Sequence, residues 1–293
     1  MKPSFPKVVL ITPVKNEEKT LSITIDSVLA QTVRPTEWVI VDDGSTDCTG
    51  EMAASASSAN PWIRLLKRDP NVKRCFASVV FAIEDGIRAV TTKDYAYIGI
   101  LDGDVRLPVD YYERILHEFE RDPKLGLAGG AVIDVGQPNR DGLKIEEVAG
   151  AVQLFRRECF EALGGLVAVP EGGWDAITCA MARKAGYRSR SFQEIVVDHL
   201  KPRNSAQGGT LGRHWQFGVR DYAIGTGWAF ETAKCVFQIK EMPWVLGAGL
   251  RYAGYSWGVL TRRPRMIPAD VLEFMERERK DRLRARLLKG HRW

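Results

Sequence analysis

The stretch Tyr95-Ala-Tyr-Ile-Gly-Ile-Leu-Asp-Gly-Asp104 joins a run of apolar residues to a pair of carboxylates. The apolar part, which ends at Leu101, is typical of a buried strand with polar residues on either side. Asp102 and Asp104 follow directly and are separated by one small residue, so both carboxylates could reach one divalent cation. The same residues also suit a plain Asp-Gly turn, and the stretch alone does not decide between the two.

The segments around this stretch alternate between strand-like and helix-like patterns. Near-continuous apolar strands predict a parallel sheet covered by helices on both faces. The predicted strands are 7–12, 37–42, 62–66, 95–101, 125–133, 146–155 and 188–197, and the predicted helices are 17–31, 73–90, 109–121, 156–163 and 174–185. Ligands of such sheets bind beyond the carboxyl ends of the strands, where Asp42-Asp43 and Asp102-Gly-Asp104 both fall.

Charge and cysteine content limit the classes of function. The net charge of +5 comes from residues 262–293, which hold eleven Lys or Arg against five Asp or Glu. The preceding residues are close to neutral, which argues against a nucleic-acid partner for the main domain. Five scattered cysteines without metal-ligand spacing, and no signal-peptide pattern at the N-terminus, predict a cytoplasmic protein with reduced thiols.

Five motifs occur in order between residues 7 and 200. They are Val8-Val-Leu-Ile-Thr-Pro-Val-Lys-Asn-Glu-Glu18; Leu21 with Ser27-Val-Leu-Ala-Gln31; Val39-Ile-Val-Asp-Asp-Gly-Ser-Thr-Asp47; Asp102-Gly-Asp104 with Pro108 and Tyr111; and Gly164-Gly165 with Trp174-Asp175 and Ala185-Gly-Tyr187. Together they resemble the family 2 glycosyltransferases of the glycosyltransferase A fold. The resemblance implies a Rossmann-like, mostly parallel sheet and inverting transfer from a nucleotide-diphosphate sugar, first of all a UDP-sugar, to a hydroxyl acceptor.

The resemblance also implies roles for particular residues. The implied nucleotide-binding residues are Pro13, Val14, Asn16, Asp42, Asp43, Lys73 and Asp102. Asp104 is implied as a direct ligand of Mn²⁺ or Mg²⁺, and His199 as a further ligand of the metal or the diphosphate. Two alternatives stay open: Lys73 as an ordinary exposed residue at a helix start, and His199 as a structural hydrogen-bonding residue.

A glycosyl transfer of this kind needs a base that takes the proton of the acceptor hydroxyl. Asp175 is the candidate that the resemblance implies, although relatives commonly have an acidic pair where this chain has Trp174-Asp175. The alternative is an ordinary helix N-cap, because Asp is favoured at that position.

The C-terminal part differs in character from the rest. We predict a catalytic domain over 1–214 and a helical, basic extension over 215–293. Trp244–Leu260 is apolar, but it is shorter than the ~20 residues of a membrane span and contains Arg251. Its aromatic residues and the basic tail suit an anionic membrane surface on the cytosolic face, and equally suit a packed helical subdomain or a homodimer contact.

The resemblance implies an enzyme that acts on a lipid-linked or polysaccharide acceptor of the cell surface. Two other functions stay open at this point: a sugar nucleotidyltransferase, and a non-catalytic binding or scaffold protein with the same fold. The first is disfavoured because no Gly-rich phosphate loop follows the first predicted strand.

Overall fold

The computed structural model describes residues 5–69, 76–136, 145–201, 209–239 and 244–289. Within these ranges eight strands are formed: β1 (Val8–Val14), β2 (Glu37–Asp42), β3 (Ile63–Lys67), β4 (Tyr97–Leu101), β5 (Val105–Arg106), β6 (Leu125–Asp134), β7 (Val152–Arg156) and β8 (Arg188–His199). The helices are α1 (Leu21–Leu29), α2 (Thr49–Ala59), α3 (Ser78–Ala89), α4 (Tyr111–Arg121), α5 (Arg157–Leu163), α6 (Trp174–Lys184), α7 (Gly209–Ala223), α8 (Trp228–Gln238), α9 (Trp244–Leu260) and α10 (Ala269–Lys289).

The strands form one sheet in the order β3-β2-β1-β4-β7-β6-β8-β5. The first four are mutually parallel, β7 runs antiparallel to both β4 and β6, and β8 is parallel to β6. The strands β2, β1, β4, β6 and β8 therefore all point the same way, and their carboxyl ends share one edge of the sheet. The predicted α/β fold with a mostly parallel sheet is confirmed.

The central strands are buried on both faces, which explains their continuous apolar sequence. Trp38 of β2 is fully buried, and its indole N–H donates to Thr12 Oγ1 at 2.9 Å, so its one polar atom is satisfied. The helix α4 contributes a buried stripe of Tyr111, Ile115 and Phe119 at helical spacing. The core thus fixes the strand ends that carry the polar residues discussed below.

The chain separates into two compact units. One comprises Met1–Leu166 and Trp174–Arg203, and the other Val167–Gly173 and Asn204–Trp293. The first contains the whole sheet, and the second is helical. That residues 1–214 form the catalytic domain and residues 215–293 an extension stays a prediction. Within the described ranges, no helix is both long enough and apolar enough to cross a membrane.

Candidate active site

The turns that follow β1 and β2 are joined to each other by hydrogen bonds. Asn16 has a left-handed φ of 56°, a conformation that Asn tolerates better than most residues. Its backbone N–H donates to Ser45 Oγ at 3.1 Å, and its side-chain oxygen accepts from the Thr46 N–H at 2.9 Å. Asn16, predicted to bind nucleotide, therefore holds these two turns in a fixed arrangement.

Asp42 ends β2 and is 6% exposed. It lies beside Val14 in the parallel register of β1 and β2, and one carboxylate oxygen accepts from the Ser45 N–H at 2.8 Å. Pro13 precedes Val14 on β1. The predicted nucleotide-binding residues of the first two strands thus lie together at the shared edge of the sheet.

Two other predicted nucleotide-binding residues are placed differently. The carboxylate of Asp43 forms an ion pair with Arg68, which also donates to Asp85 at 2.7 Å, so the structure already provides Asp43 with a partner. Its role with a nucleotide stays a prediction. Lys73 lies outside the described residues.

Asp102 and Asp104 follow β4 at the same edge of the sheet. Because β1 lies between β2 and β4, the ends of these two strands are two strand spacings apart, about 10 Å. Burial raises the pKa of Asp102 to about 8, and the adjacent carboxylate of Asp104 adds to this effect. The carboxylates of Glu17 and Asp175 act in the same direction. Burial also raises the pKa of Asp104. The edge is therefore crowded with carboxylates.

The short strand β5 places Asp104 beside His199. Val105 pairs with His199 in the β5–β8 ladder, and the Leu200 N–H donates to the Asp104 carbonyl at 2.8 Å. The imidazole Nε2 consequently lies 3.5 Å from Asp104 Oδ1, and Nδ1 lies 3.2 Å from an oxygen of Asp134 at the end of β6. His199 is 8% exposed, and its Nδ1 has no hydrogen bond of good geometry. The two residues predicted to bind metal are thus brought together.

Glu17 and Lys201 belong to this site, although Glu17 was not predicted from the sequence. The ammonium group of Lys201 donates to a carboxylate oxygen of Glu17 and, at 3.4 Å, to the carbonyl of Asn16. The same Glu17 oxygen accepts from Thr20 Oγ1 at 2.7 Å. Lys201 therefore connects the end of β8 to the turn after β1. The sequence did contain a signal for Glu17, because it is an acidic residue directly after Asn16.

Asp175, the predicted base, is the second residue of α6. Its Oδ2 accepts from the Gly150 N–H at 3.3 Å, and its backbone carbonyl accepts from the Gln153 side chain at 3.4 Å. These bonds connect α6 to the segment that leads into β7. The Asp102 N–H donates to the carbonyl of Ala151 at 3.0 Å, so Asp175 and Asp102 contact the adjacent residues 150 and 151, and the Asp175 carboxylate contributes to the raised pKa of Asp102.

The donor atoms are consistent with a divalent cation. Within the described residues, no group of three or more His, Cys, Asp and Glu side chains is arranged to hold a metal. The pair of Asp104 and His199 nevertheless offers oxygen and nitrogen ligands 3.5 Å apart, and ligands of one octahedral ion lie roughly 3 Å apart. Burial is the largest cause of the raised pKa of both Asp102 and Asp104, and a cation bound beside them would favour their ionised forms.

Known proteins resemble this chain in sequence over about two-fifths of its length. An uncharacterized glycosyltransferase EpsJ of Bacillus subtilis is 30% identical over 117 residues, which are 40% of this chain and 31% of that protein. A poly-beta-1,6-N-acetyl-D-glucosamine synthase of Staphylococcus aureus is 31% identical over 115 residues, 39% of this chain and 26% of that protein. The chain thus matches a third or less of the length of these relatives.

Solved structures share the fold over a longer range. A mannosyltransferase, PcManGT of Pyrobaculum calidifontis in complex with GDP-Man and Mn²⁺, has a TM-score of 0.58 at 19% identity, covering 96% of this chain and 81% of its own. TarS of S. aureus has a TM-score of 0.52 at 12% identity, and the match covers 80% of this chain and 43% of TarS. The fold is that of the glycosyltransferase A type. The family model of glycosyl transferase family 2 matches residues 9–196, and the chain belongs to that family.

Proposed function

We propose that this chain is an inverting, metal-dependent glycosyltransferase that uses a nucleotide-diphosphate sugar. The observation that carries the proposal is that Asp42, Asp102 and Asp104 lie at the ends of strands along one edge of the sheet, where ligands of such sheets bind, with His199 beside Asp104 and Asp175 held by the Gly150 N–H. A UDP-sugar is the first candidate donor. A GDP-sugar is the second, because the structural relative PcManGT is described in complex with GDP-Man.

Residues at the ends of β1, β2 and β4 would bind the nucleoside part of the donor. Pro13, Val14 and Asp42 would bind the base and ribose, because a carboxylate accepts hydrogen bonds from N–H and O–H groups. Asp102 would bind the ribose. Asn16 and Asp43 would support this region through the contacts they already make.

Asp104 and His199 would hold Mn²⁺ or Mg²⁺, with the remaining ligands supplied by the two phosphates of the donor. This division is usual for Mg²⁺ sites, which often use only one or two protein side chains. When bound, the cation would neutralise charge on the departing nucleoside diphosphate. Lys201 would add positive charge beside the same group, and Lys73 would do so from the segment before α3.

Asp175 would act as the general base. It would take the proton of the acceptor hydroxyl as the acceptor oxygen attacks the anomeric carbon. The bond between this carbon and the phosphate oxygen breaks in the same step, so the configuration inverts. The hydrogen bond from Gly150 fixes the carboxylate and leaves lone pairs on both of its oxygens for the acceptor.

We propose a lipid-linked or polysaccharide glycan of the cell surface as the acceptor, because one relative is named as a poly-beta-1,6-N-acetyl-D-glucosamine synthase. The enzyme would then work in the cytoplasm, at the cytosolic face of the membrane. Homodimer formation also stays a proposal, which ultracentrifugation tests.

The proposal is tested with a panel of UDP- and GDP-sugars in the presence of Mn²⁺ or Mg²⁺. Thermal shift identifies the donor that binds, since a ligand of the folded state raises its apparent stability. Release of nucleoside diphosphate then measures turnover. We expect Asp104→Asn to lose a factor of about 10²–10⁴ in turnover, because loss of the cation removes several kcal/mol of charge stabilisation from the leaving diphosphate.

Asp94→Asn is the matched control, because Asp94 precedes β4, at the opposite end of the strands, and forms an exposed ion pair with Lys7. It should retain nearly full turnover. If no nucleotide sugar raises the melting temperature, or if Asp104→Asn turns over like the wild type, the proposal is wrong. In that case a non-catalytic binding protein becomes the better explanation.

A further inference from the structure

The helix α9 has its apolar residues on the outside. Its buried face consists of Gly247, Ala248, Arg251, Gly254, Tyr255 and Gly258. Its exposed face carries Val245, Leu246, Tyr252, Trp257, Val259 and Leu260, with exposed fractions between 41% and 78%. We call these six residues the α9 surface. A helix that packs on a core normally has the opposite arrangement, with polar residues facing water.

The helix α8 has the same inverted pattern. Trp228, Val236 and Phe237 are 71%, 57% and 50% exposed, whereas Glu231 is completely buried. Lys234, the other charged residue of α8, donates to Asp221 of α7 at 3.1 Å. Both helices therefore direct their charges inward and their large apolar side chains outward.

A buried ionic network receives these charges. The guanidinium group of Arg251 donates to Asp221 at 2.9 Å, to Glu231 at 3.1 Å and to Gln238 at 2.8 Å. Asp221 and Arg251 are 1% and 4% exposed. Burying ion pairs costs desolvation free energy, so charged side chains of a surface helix normally face water and not the interior beneath an apolar exterior.

Close helix packing leaves no room for large residues on the inner face. A Cβ atom on Gly218 of α7 would lie 1.9 Å from the carbonyl oxygen of Arg251, and one on Gly254 would lie 2.3 Å from that of Trp215. Helices that associate within lipid use small residues in this way, and there the large apolar side chains face the surroundings. The α7–α9 pair therefore combines a close-packed polar interior with an apolar exterior.

The residues after α9 carry positive charge. Arg262, Arg263 and Arg265 follow its last residue closely and are exposed; Arg263 forms an ion pair with Glu171 at 3.3 Å, so Arg262 and Arg265 supply the charge for a partner. The exposed faces of α8 and α9 contain no acidic residue, since Glu231 is buried. An anionic surface would therefore complement this region, whereas the same face of a second copy would offer it no carboxylate.

We propose that the α9 surface binds an anionic lipid bilayer, with the helix lying in the plane of the interface. At 17 residues α9 is about 25 Å long, and its exposed side chains present apolar area on the order of several hundred Å². Soluble monomers rarely expose so much contiguous apolar area. Trp and Tyr favour the interfacial region, and the arginines contact the lipid headgroups. The proposal is independent of which sugar the chain transfers.

The test is co-sedimentation of the 293-residue chain with lipid vesicles. One set is phosphatidylcholine alone, and the other contains about one-third phosphatidylglycerol, which supplies the anionic headgroup. We expect binding to the anionic vesicles, weakened by salt. The double substitution Leu246→Glu with Trp257→Glu should reduce the partition coefficient at least tenfold, because two anchoring side chains are lost and two like charges are added.

The matched control is Phe81→Glu with Val109→Glu, which changes two apolar side chains of the first unit that are 44% and 55% exposed. It should bind like the wild type, and circular dichroism should show both variants folded. Failure of the wild type to bind anionic vesicles overturns the proposal, as does equal loss in both double variants. A different result is a wild type that fails to bind vesicles but forms a dimer whose amount increases with concentration. If Leu246→Glu with Trp257→Glu abolishes that dimer, the α9 surface is a contact between copies.

Discussion

The carboxylate of Glu37 is predicted to hold the beginning of β2 in place. It accepts from the Thr91 N–H at 3.0 and 3.1 Å, from Thr91 Oγ1 at 3.0 Å and from the Thr92 N–H at 2.7 Å, and Arg64 donates to it at 3.1 Å. The side chain is only 5% exposed. Burial alone would raise its pKa, but these donors outweigh burial and lower the pKa from 4.5 to about 2.

The pKa shift sets the size of the effect. A pKa lowered from 4.5 to about 2 corresponds to about 3 kcal/mol of stability from the ionised carboxylate. Because the pKa is lower in the folded state, this contribution is complete above pH 4.5 and is lost as the pH falls toward 2. We therefore expect Glu37→Gln to reduce the free energy of unfolding at pH 7 by about 3 kcal/mol.

Urea denaturation of the wild type and Glu37→Gln at several pH values measures this effect. The difference between the two proteins should shrink steadily as the pH falls below 4.5. Glu161→Gln is the control, since Glu161 forms an exposed i,i+4 pair with Arg157 and should change stability by less than about 1 kcal/mol. Equal stability of Glu37→Gln and wild type at pH 7, or a difference that does not depend on pH, would show that the ionised Glu37 carboxylate does not stabilise the fold.

Two further predictions concern packing and charge. Gly218→Ala should destabilise the helical unit by about 1–3 kcal/mol in denaturation experiments, because the new methyl group collides with the backbone of Arg251. Gly249→Ala, which meets no atom within 4 Å, should be neutral or slightly stabilising, and equal effects of the two would contradict this account. Lys201→Met should weaken binding of the nucleoside diphosphate by about tenfold in calorimetry, because it removes a positive charge beside Glu17; unchanged affinity would contradict it.

Much of the fold was predictable because the strands are apolar throughout and are separated by strong turn formers. The strand 37–42 was predicted to the residue, and β6 differs from its prediction by one residue. The strand β5 was missed because two residues carry no periodicity. This omission matters for function, since β5 is the element that brings Asp104 next to His199.

The site was predictable only in part. Carboxylates at strand ends are visible in the sequence, and strand direction places them at one edge. Contacts between distant segments are not visible, so the pairing of Lys201 with Glu17 and the position of Asp134 beside His199 came from the structure alone. The sequence also does not reveal which face of α9 is exposed, because that depends on the packing of α7.

The central claim is that Asp175 performs the proton transfer while the donor is held by other residues. The most direct test measures kcat and the donor Kd of Asp175→Asn, using the donor that the nucleotide-sugar panel identifies. We expect kcat to fall at least about a hundredfold and Kd to change only a few-fold, because Asp175 acts on the acceptor. An Asp175→Asn variant that turns over like the wild type, or that loses donor affinity in parallel with kcat, would contradict it.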